Sequence, residues 1–520
     1  MLNPPQIPGV VLRLGLFALL ALLAVPVLTG CAGSASRRSL SAAQSIRTFP
    51  LSREDLLWLG RIDFGIDSVS LEEYQRLGRR GYLEQQLRER DDALPQPIAE
   101  RIASMQISRA DTFALLTSER AERSAFREDA AQSSEQRQQQ RRDLNQQGNA
   151  LANEAARREL LRAVYSQAQL REQMVWFWMN HFSVSQNKAE VRWLVADYEE
   201  HAIRPFALGH FSDLVLATLE HPAMLEYLDN DHNVAGHLNE NYARELLELH
   251  TLGVGSGYTQ QDVQAMAHVL TGVGISIRPA PGLRPPLRAL YLRRGAFEFN
   301  PARHDFSPET LLGQSLTGRG FDEVRNAVAL LVRQPACARF ISRELATYFV
   351  ADTPPSRLVD AMASTFQRTN GDVAAVLRTM FLSPDFDASL GRKLKDPVRY
   401  VVSSVRMAYD GQPAFIAQPM LGWLNALGEA PFAHPTPDGY PLLDAGWSSP
   451  GQMTRRFEIA RAIGSGNASL GLPAPQLQSA LYQAATAPLL EAGTRSALSQ
   501  AGSQREWNTF LLASPELNYE

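Results

Sequence analysis

The sequence predicts a mainly α-helical protein: one large multi-helix domain with long irregular loops and at most a few short strands. Three observations carry this reading. Capping patterns headed by serine or threonine open several apolar runs. Apolar residues recur at helical spacing from Leu160 to about Gly272, and again from Phe321 to Met407. Alternating runs are few, no repeat has a fixed length, and no βαβ alternation is present.

Residues 1–30 read as a secretory leader. Arg13 is the only charged residue before position 37, and an apolar run from Leu14 to Leu28 follows it. That run is near the lower limit for crossing a bilayer. Leu28-Thr29-Gly30-Cys31 resembles a lipobox, which makes Cys31 the expected lipidation site. An uncleaved anchor is the competing reading. Ala32, rather than Asp, follows the cysteine; the resemblance to lipoproteins then favours the outer membrane, on its periplasmic face or at the cell surface. A triacylated end would anchor stably. Residues 31–50 are small, polar and basic, and read as a tether.

A helical domain is expected over residues 51–465. Ser52-Arg53-Glu54-Asp55 and Ser70-Leu71-Glu72-Glu73 are capping-box patterns. Residues 119–158 are rich in Gln and Arg and poor in large apolar side chains, so they read as a polar insertion, an exposed helix or disorder. Arg278 to Leu292 is a Pro-Arg-Gly loop, and Ala296-Phe297-Glu298-Phe299 alternates like a short strand. Pro431 to Pro450 is a second irregular stretch. Residues 466–520 read as a helical tail.

Composition narrows the function classes. Hydrophobic residues make up 45% and charged residues 20%, enough of both for a large core. The net charge of -4, or -5 without Arg13, argues against broad nucleic-acid binding. Of two cysteines one is the lipid site, so Cys337 is left without a partner and reads as a small core residue.

The densest polar segment is Asn239 to Gly253. Asn239 suits an N-cap and Gly253 the position after the helix. Glu240, Asn241, Arg244, Glu245 and Glu248 share one face, with Arg244 four residues from both Glu240 and Glu248. By spacing alone this is an ordinary amphipathic helix with a wet, salt-bridged side. Thr259 with Asp262 caps the next helix. Eight of ten histidines lie between His181 and His268, with His304 and His434 beyond, yet no metal-ligand spacing is strong. His250 falls on the apolar side and reads as core. No G-x-S-x-G elbow is present.

Several blocks, in order, resemble a bacterial family, domain of unknown function 1800. They include Leu59-Gly60-Arg61-Ile62-Asp63-Phe64-Gly65, Met174 to Phe182 with Lys188, and Leu225 to Asn230. Asn239-Glu240-Asn241-Tyr242-Ala243-Arg244-Glu245-Leu246 is the most specific, followed by His304-Asp305, Lys393 to Pro397, and Pro437 to Pro441. The resemblance covers roughly residues 52–465. It implies that the polar helix is a structured, paired cluster rather than a wet face, with Arg244, Lys395, His181 and His304 as candidate partners. Asn239, Asn241, Arg244, Asp229, Asn230 and Lys395 are then candidate binding residues. The resemblance also implies a secreted, sulfatase-like neighbour as a protein partner.

Two functions follow as expectations. One is a cell-envelope binding or assembly factor. The other is a hydrolase, dependent on carboxylates or on a divalent metal, using His181, Glu240, Glu245, Glu248, His304 and Asp305. Convergence of these side chains in one pocket would favour catalysis. Carboxylates saturated by Arg244 in a closed core would be structural.

Overall fold

Ser52 caps the first helix, Arg53–Ile62, by accepting from the Asp55 backbone N–H, as the sequence suggests. The second helix, Ser68–Arg88, starts earlier than its pattern implies. Asp67 is the cap and Ser70 the third helical residue, because Asp67 and Ser70 close a reciprocal capping box. The computed structural model describes residues 51–89, 92–128, 133–414, 416–466 and 473–520. The leader, Cys31 and the tether lie outside the described residues.

All described residues fall within one compact unit, Thr48–Glu520. It is mainly α-helical, with a few short strands. The Gln/Arg-rich segment forms helices Thr112–Glu128 and Ser134–Tyr165. The second is mostly exposed at first, with Leu144 and Gly148 buried, and largely buried from Leu151 onward, where alanines and leucines replace glutamines. The 466–520 segment contributes helix Gln504–Leu512, which packs on helix Pro450–Ser465 inside the same unit.

The alternating Phe297-Glu298-Phe299 stretch is strand β3 of a three-stranded antiparallel sheet. Its neighbours are β1 (Val273–Ile275) and β2 (Leu292–Arg294), and Phe299 pairs with both Val273 and Leu292. The proline-rich loop between β1 and β2 holds only one helical turn, Pro285–Arg288. Cys337 is fully buried, and burial pushes its thiol up, as a core residue requires.

At the centre lies helix Gln169–His181, in which every residue but Asn180 is buried. Its polar residues are not wasted against apolar neighbours. Glu172 accepts two hydrogen bonds from Arg204, at 2.8 and 2.9 Å. Arg204 also reaches Glu199 at 2.6 Å, and Glu199 in turn holds Arg158 at 2.6 Å. These charges are all nearly inaccessible to water. Burial opposes ionisation of Glu199, but Arg204, Arg158 and Arg162 together hold its carboxyl well below the usual range.

Arg204→Met should therefore cost about 3–5 kcal/mol, because it leaves Glu172 buried without its hydrogen-bonded guanidinium and takes one of three arginines from Glu199. The midpoint of urea unfolding, compared with the parent protein, measures this.

Candidate functional site

The specific Asn-Glu-Asn block divides by direction. Its amides point inward to backbone. Asn239 donates to the Asp229 carbonyl at 3.0 Å, and Asn241 to the Leu228 carbonyl at 3.1 Å. Asn230 donates to the Val273 carbonyl at 2.9 Å, and Asn233 to that of Ala267 at 2.8 Å. These bonds fix the tight turn in which Asp229 adopts φ 59°, a left-handed conformation that Asp tolerates. Asp229 itself pairs with Lys188 at 2.7 Å. The helix proper runs Asn241–Glu245 and continues as π-helix Leu246–Thr251, with Glu240 at the cap. Asn239 acts one residue earlier, accepting from the Asn241 N–H.

The charges point outward. Arg244 meets Glu240 at 3.0 Å and Glu248 at 3.5 Å, with side chains 38%, 32% and 26% exposed respectively. Gln260 of the next helix bonds to both Arg244 and Glu240. The cluster is paired, as the resemblance implies, but it lies at the surface. Spacing alone describes these charges better than the expectation of a closed site.

His181 meets a residue that the sequence did not flag. Its Nδ1 lies 2.6 Å from Glu344 Oε2, and its Nε2 lies 3.1 Å from the His250 carbonyl. A carbonyl only accepts, so Nε2 carries a proton. The carbonyl is available because His250 is in the last turn of its helix, where backbone oxygens lack intrahelical donors. His250 itself is buried and its ring is held neutral, burial pushing its pKa well below the usual value.

Beside this pair is a cavity of about 280 Å³. Glu248, Glu344 and Asp438 line it, together with Phe177, Phe340 and Tyr440. No lysine or arginine lines it. Glu245 stands close by; burial raises its pKa first, then repulsion from Glu248 and Asp438. Asp438 is brought in by a clamp. Asn180 donates to the Tyr440 carbonyl at 3.0 Å and accepts from the Tyr440 N–H at 2.6 Å. Gly439 permits the approach: its φ is 70°, and a Cβ there would stand 2.3 Å from the Asn180 carbonyl oxygen.

The other predicted residues lie elsewhere. His304 donates from Nδ1 to the Thr271 carbonyl at 2.9 Å, and Asp305 pairs with His268 at 3.0 Å. They sit at the far end of helix Gln260–Val269, whose first residue is the one that touches Arg244. Eight residues of helix at about 1.5 Å each separate Gln260 from His268, so the histidine-aspartate pair is outside the cavity. Lys395 does not partner the polar helix either. It is buried against Ser403 at 3.1 Å, among Arg61, Arg399, Arg456 and Glu520. Among the described residues no three His, Cys, Asp or Glu side chains are placed to hold a metal ion.

A family model described as "Protein of unknown function (DUF1800)" matches residues 57–519, so the chain belongs to that family. No curated protein and no solved structure matches the chain.

Gly439→Ala should destabilise the protein by about 1–3 kcal/mol from left-handed strain alone, with the Asn180 contact adding to it. Gly428→Ala is the comparison, because Gly428 has φ 82° and open space where the Cβ would be. A larger loss for Gly439→Ala in parallel denaturation curves isolates the clamp.

Proposed function

We propose that this family member is a cell-envelope binding protein, held by a lipid on Cys31, that receives a cationic group in the cavity beside His181 and Glu344. One observation carries the reading: three carboxylates line the cavity, and no lysine or arginine does. Like charges gathered in a partly dry space repel, and an entering cation relieves that repulsion. Aromatic faces at Phe177, Phe340 and Tyr440 suit an ammonium or guanidinium group. The volume lies near the lower end of small-molecule sites, which matches one long cationic side chain of a secreted partner.

The hydrolytic alternative draws on the same residues, but the lining contains no serine, threonine or cysteine. His181 already spends both ring nitrogens. Anchoring rests on Leu28-Thr29-Gly30-Cys31. None of the described helices is long and apolar enough to cross a membrane.

Agmatine and 1,5-diaminopentane are suitable probes. Titration calorimetry on the purified chain should give saturable binding that weakens as salt rises. Glu344→Gln or Asp438→Asn should each lower the affinity about tenfold, the scale of one charge-assisted contact. Absence of binding, or unchanged binding in both variants, would remove the proposal.

Anchoring is tested separately. Cys31→Ser should move the protein from the membrane fraction to the soluble envelope fraction and abolish labelling by a fatty-acid analogue. Persistence of both properties in the variant would refute lipidation at this residue.

A further inference from the structure

The excursion that joins β1 to β2 carries charge of one sign. From Val263 to Phe297 the chain has five arginines and no aspartate or glutamate. Two of the five are spent on the stem. Arg293 donates to the Ser276 carbonyl at 2.9 Å and also to the Arg278 carbonyl, and its guanidinium lies 5.4 Å from the centre of the Phe113 ring. Arg294 pairs with Glu220. The other three, Arg278, Arg284 and Arg288, are exposed, and their side chains have no ion pair and no hydrogen bond among the described residues.

The backbone keeps these three apart from the body. Pro279, Pro281, Pro285 and Pro286 fix φ and lack a backbone donor, so the segment cannot add a strand to the sheet beside it. Arg284 caps the single helical turn and Arg288 ends it. Four residues apart, they are neighbours on one face and repel each other. The acids beside the sheet do not relieve this. Glu220 is held by Arg294, Glu298 is buried and accepts from the Tyr291 hydroxyl at 3.0 Å, and Asp231 pairs with His232 at 2.9 Å. A row of exposed guanidiniums without counter-ions, on a fixed stem, is complementary to an array of phosphates, whose oxygens a guanidinium can take two at a time.

We propose that this excursion docks on a membrane surface bearing anionic lipid, with Arg278, Arg284 and Arg288 on the headgroup phosphates. A lipid surface presents many phosphates at once and so meets all three arginines, whereas a free phosphate meets one. The choice of lipid over another polyanion rests on the reading of Cys31 as an anchor, which would keep the protein within reach of a membrane. The charge argument itself does not depend on that reading, nor on the acid-lined cavity.

The test is flotation of the full-length Cys31→Ser protein with phosphatidylcholine vesicles, with and without added phosphatidylglycerol. Removing the lipid site makes the outcome independent of lipidation. Binding should be stronger on the anionic vesicles and should fall as salt rises. Arg278→Gln, Arg284→Gln and Arg288→Gln combined should weaken it on the order of a hundredfold, about fivefold for each arginine. These side chains touch no other group, so the variant should fold as the parent does. Arg76→Gln, Arg357→Gln and Arg455→Gln combined remove the same charge from exposed arginines paired with Glu73, Asp385 and Glu458, and should leave the preference for anionic vesicles in place. Equal binding to both kinds of vesicle, equal loss in the two triple variants, displacement by inorganic phosphate at matched phosphate concentration, or a tighter hold on a DNA duplex than on the anionic vesicles would each overturn the proposal.

Discussion

Two adjacent side chains, Asn180 and His181, hold the centre of this protein together. They end a helix that is otherwise buried on every side, so neither can swing away without opening close-packed surroundings. Asn180 pairs with both polar groups of the Tyr440 peptide, 260 residues away. His181 joins Glu344 of helix Pro335–Phe349 to the last turn of the 246–251 segment. Three distant stretches of chain thus meet at two neighbouring residues. The cavity between them exists because these bonds fix the walls before any ligand is present. Gly439 is the steric condition for that arrangement, since any side chain there would collide with the helix end.

Much of this was legible in the sequence, and the limit has a physical cause. Helices, caps and strand β3 follow from local spacing, which one segment determines alone. Ser52 and the Thr259-Asp262 box behave as their patterns suggest. So does the spacing of Glu240, Arg244 and Glu248. Spacing does not say whether a face meets water. The asparagines and the charges of one motif find different partners, the amides backbone carbonyls and the charges one another and Gln260. Glu344 was illegible because its helix is an ordinary amphipathic one and its partner lies 163 residues earlier. The Arg158, Glu172, Glu199 and Arg204 network was hidden for the same reason. Lys395 packs against Ser403 instead of the polar helix, because spacing carries no information about which group a lysine meets.

The chain is almost neutral overall, yet its charges are sorted in space. Beside His181, carboxylates outnumber cations. Around Lys395 the cations are met more evenly: Arg61, Arg399 and Arg456 face Glu520, Asp396, Glu429 and Asp444. The carboxylates beside His181 remain partly in water, the Asp438 side chain being 63% exposed, so solvent screens part of that surplus. Folding alone gains nothing from such surpluses, because each costs desolvation without full compensation. In the Arg204 network Glu172 and Glu199 each meet a guanidinium, while the neighbouring buried Glu159 has no hydrogen-bond partner among the described residues and burial pushes its pKa up to about 8.

Ion pairing also decides where the acid-lined cavity is least compensated. His181 faces Glu344 at 2.6 Å, Glu248 and Asp438 complete the acidic lining, and Glu245 stands close by. Arg244 offsets Glu248 from outside, at 3.5 Å. Asp438 has His434 at 4.0 Å and no lysine or arginine partner among the described residues, so the field is least compensated on its side. The proposed cation would therefore sit nearest Asp438, where no guanidinium or ammonium already competes for the carboxylate.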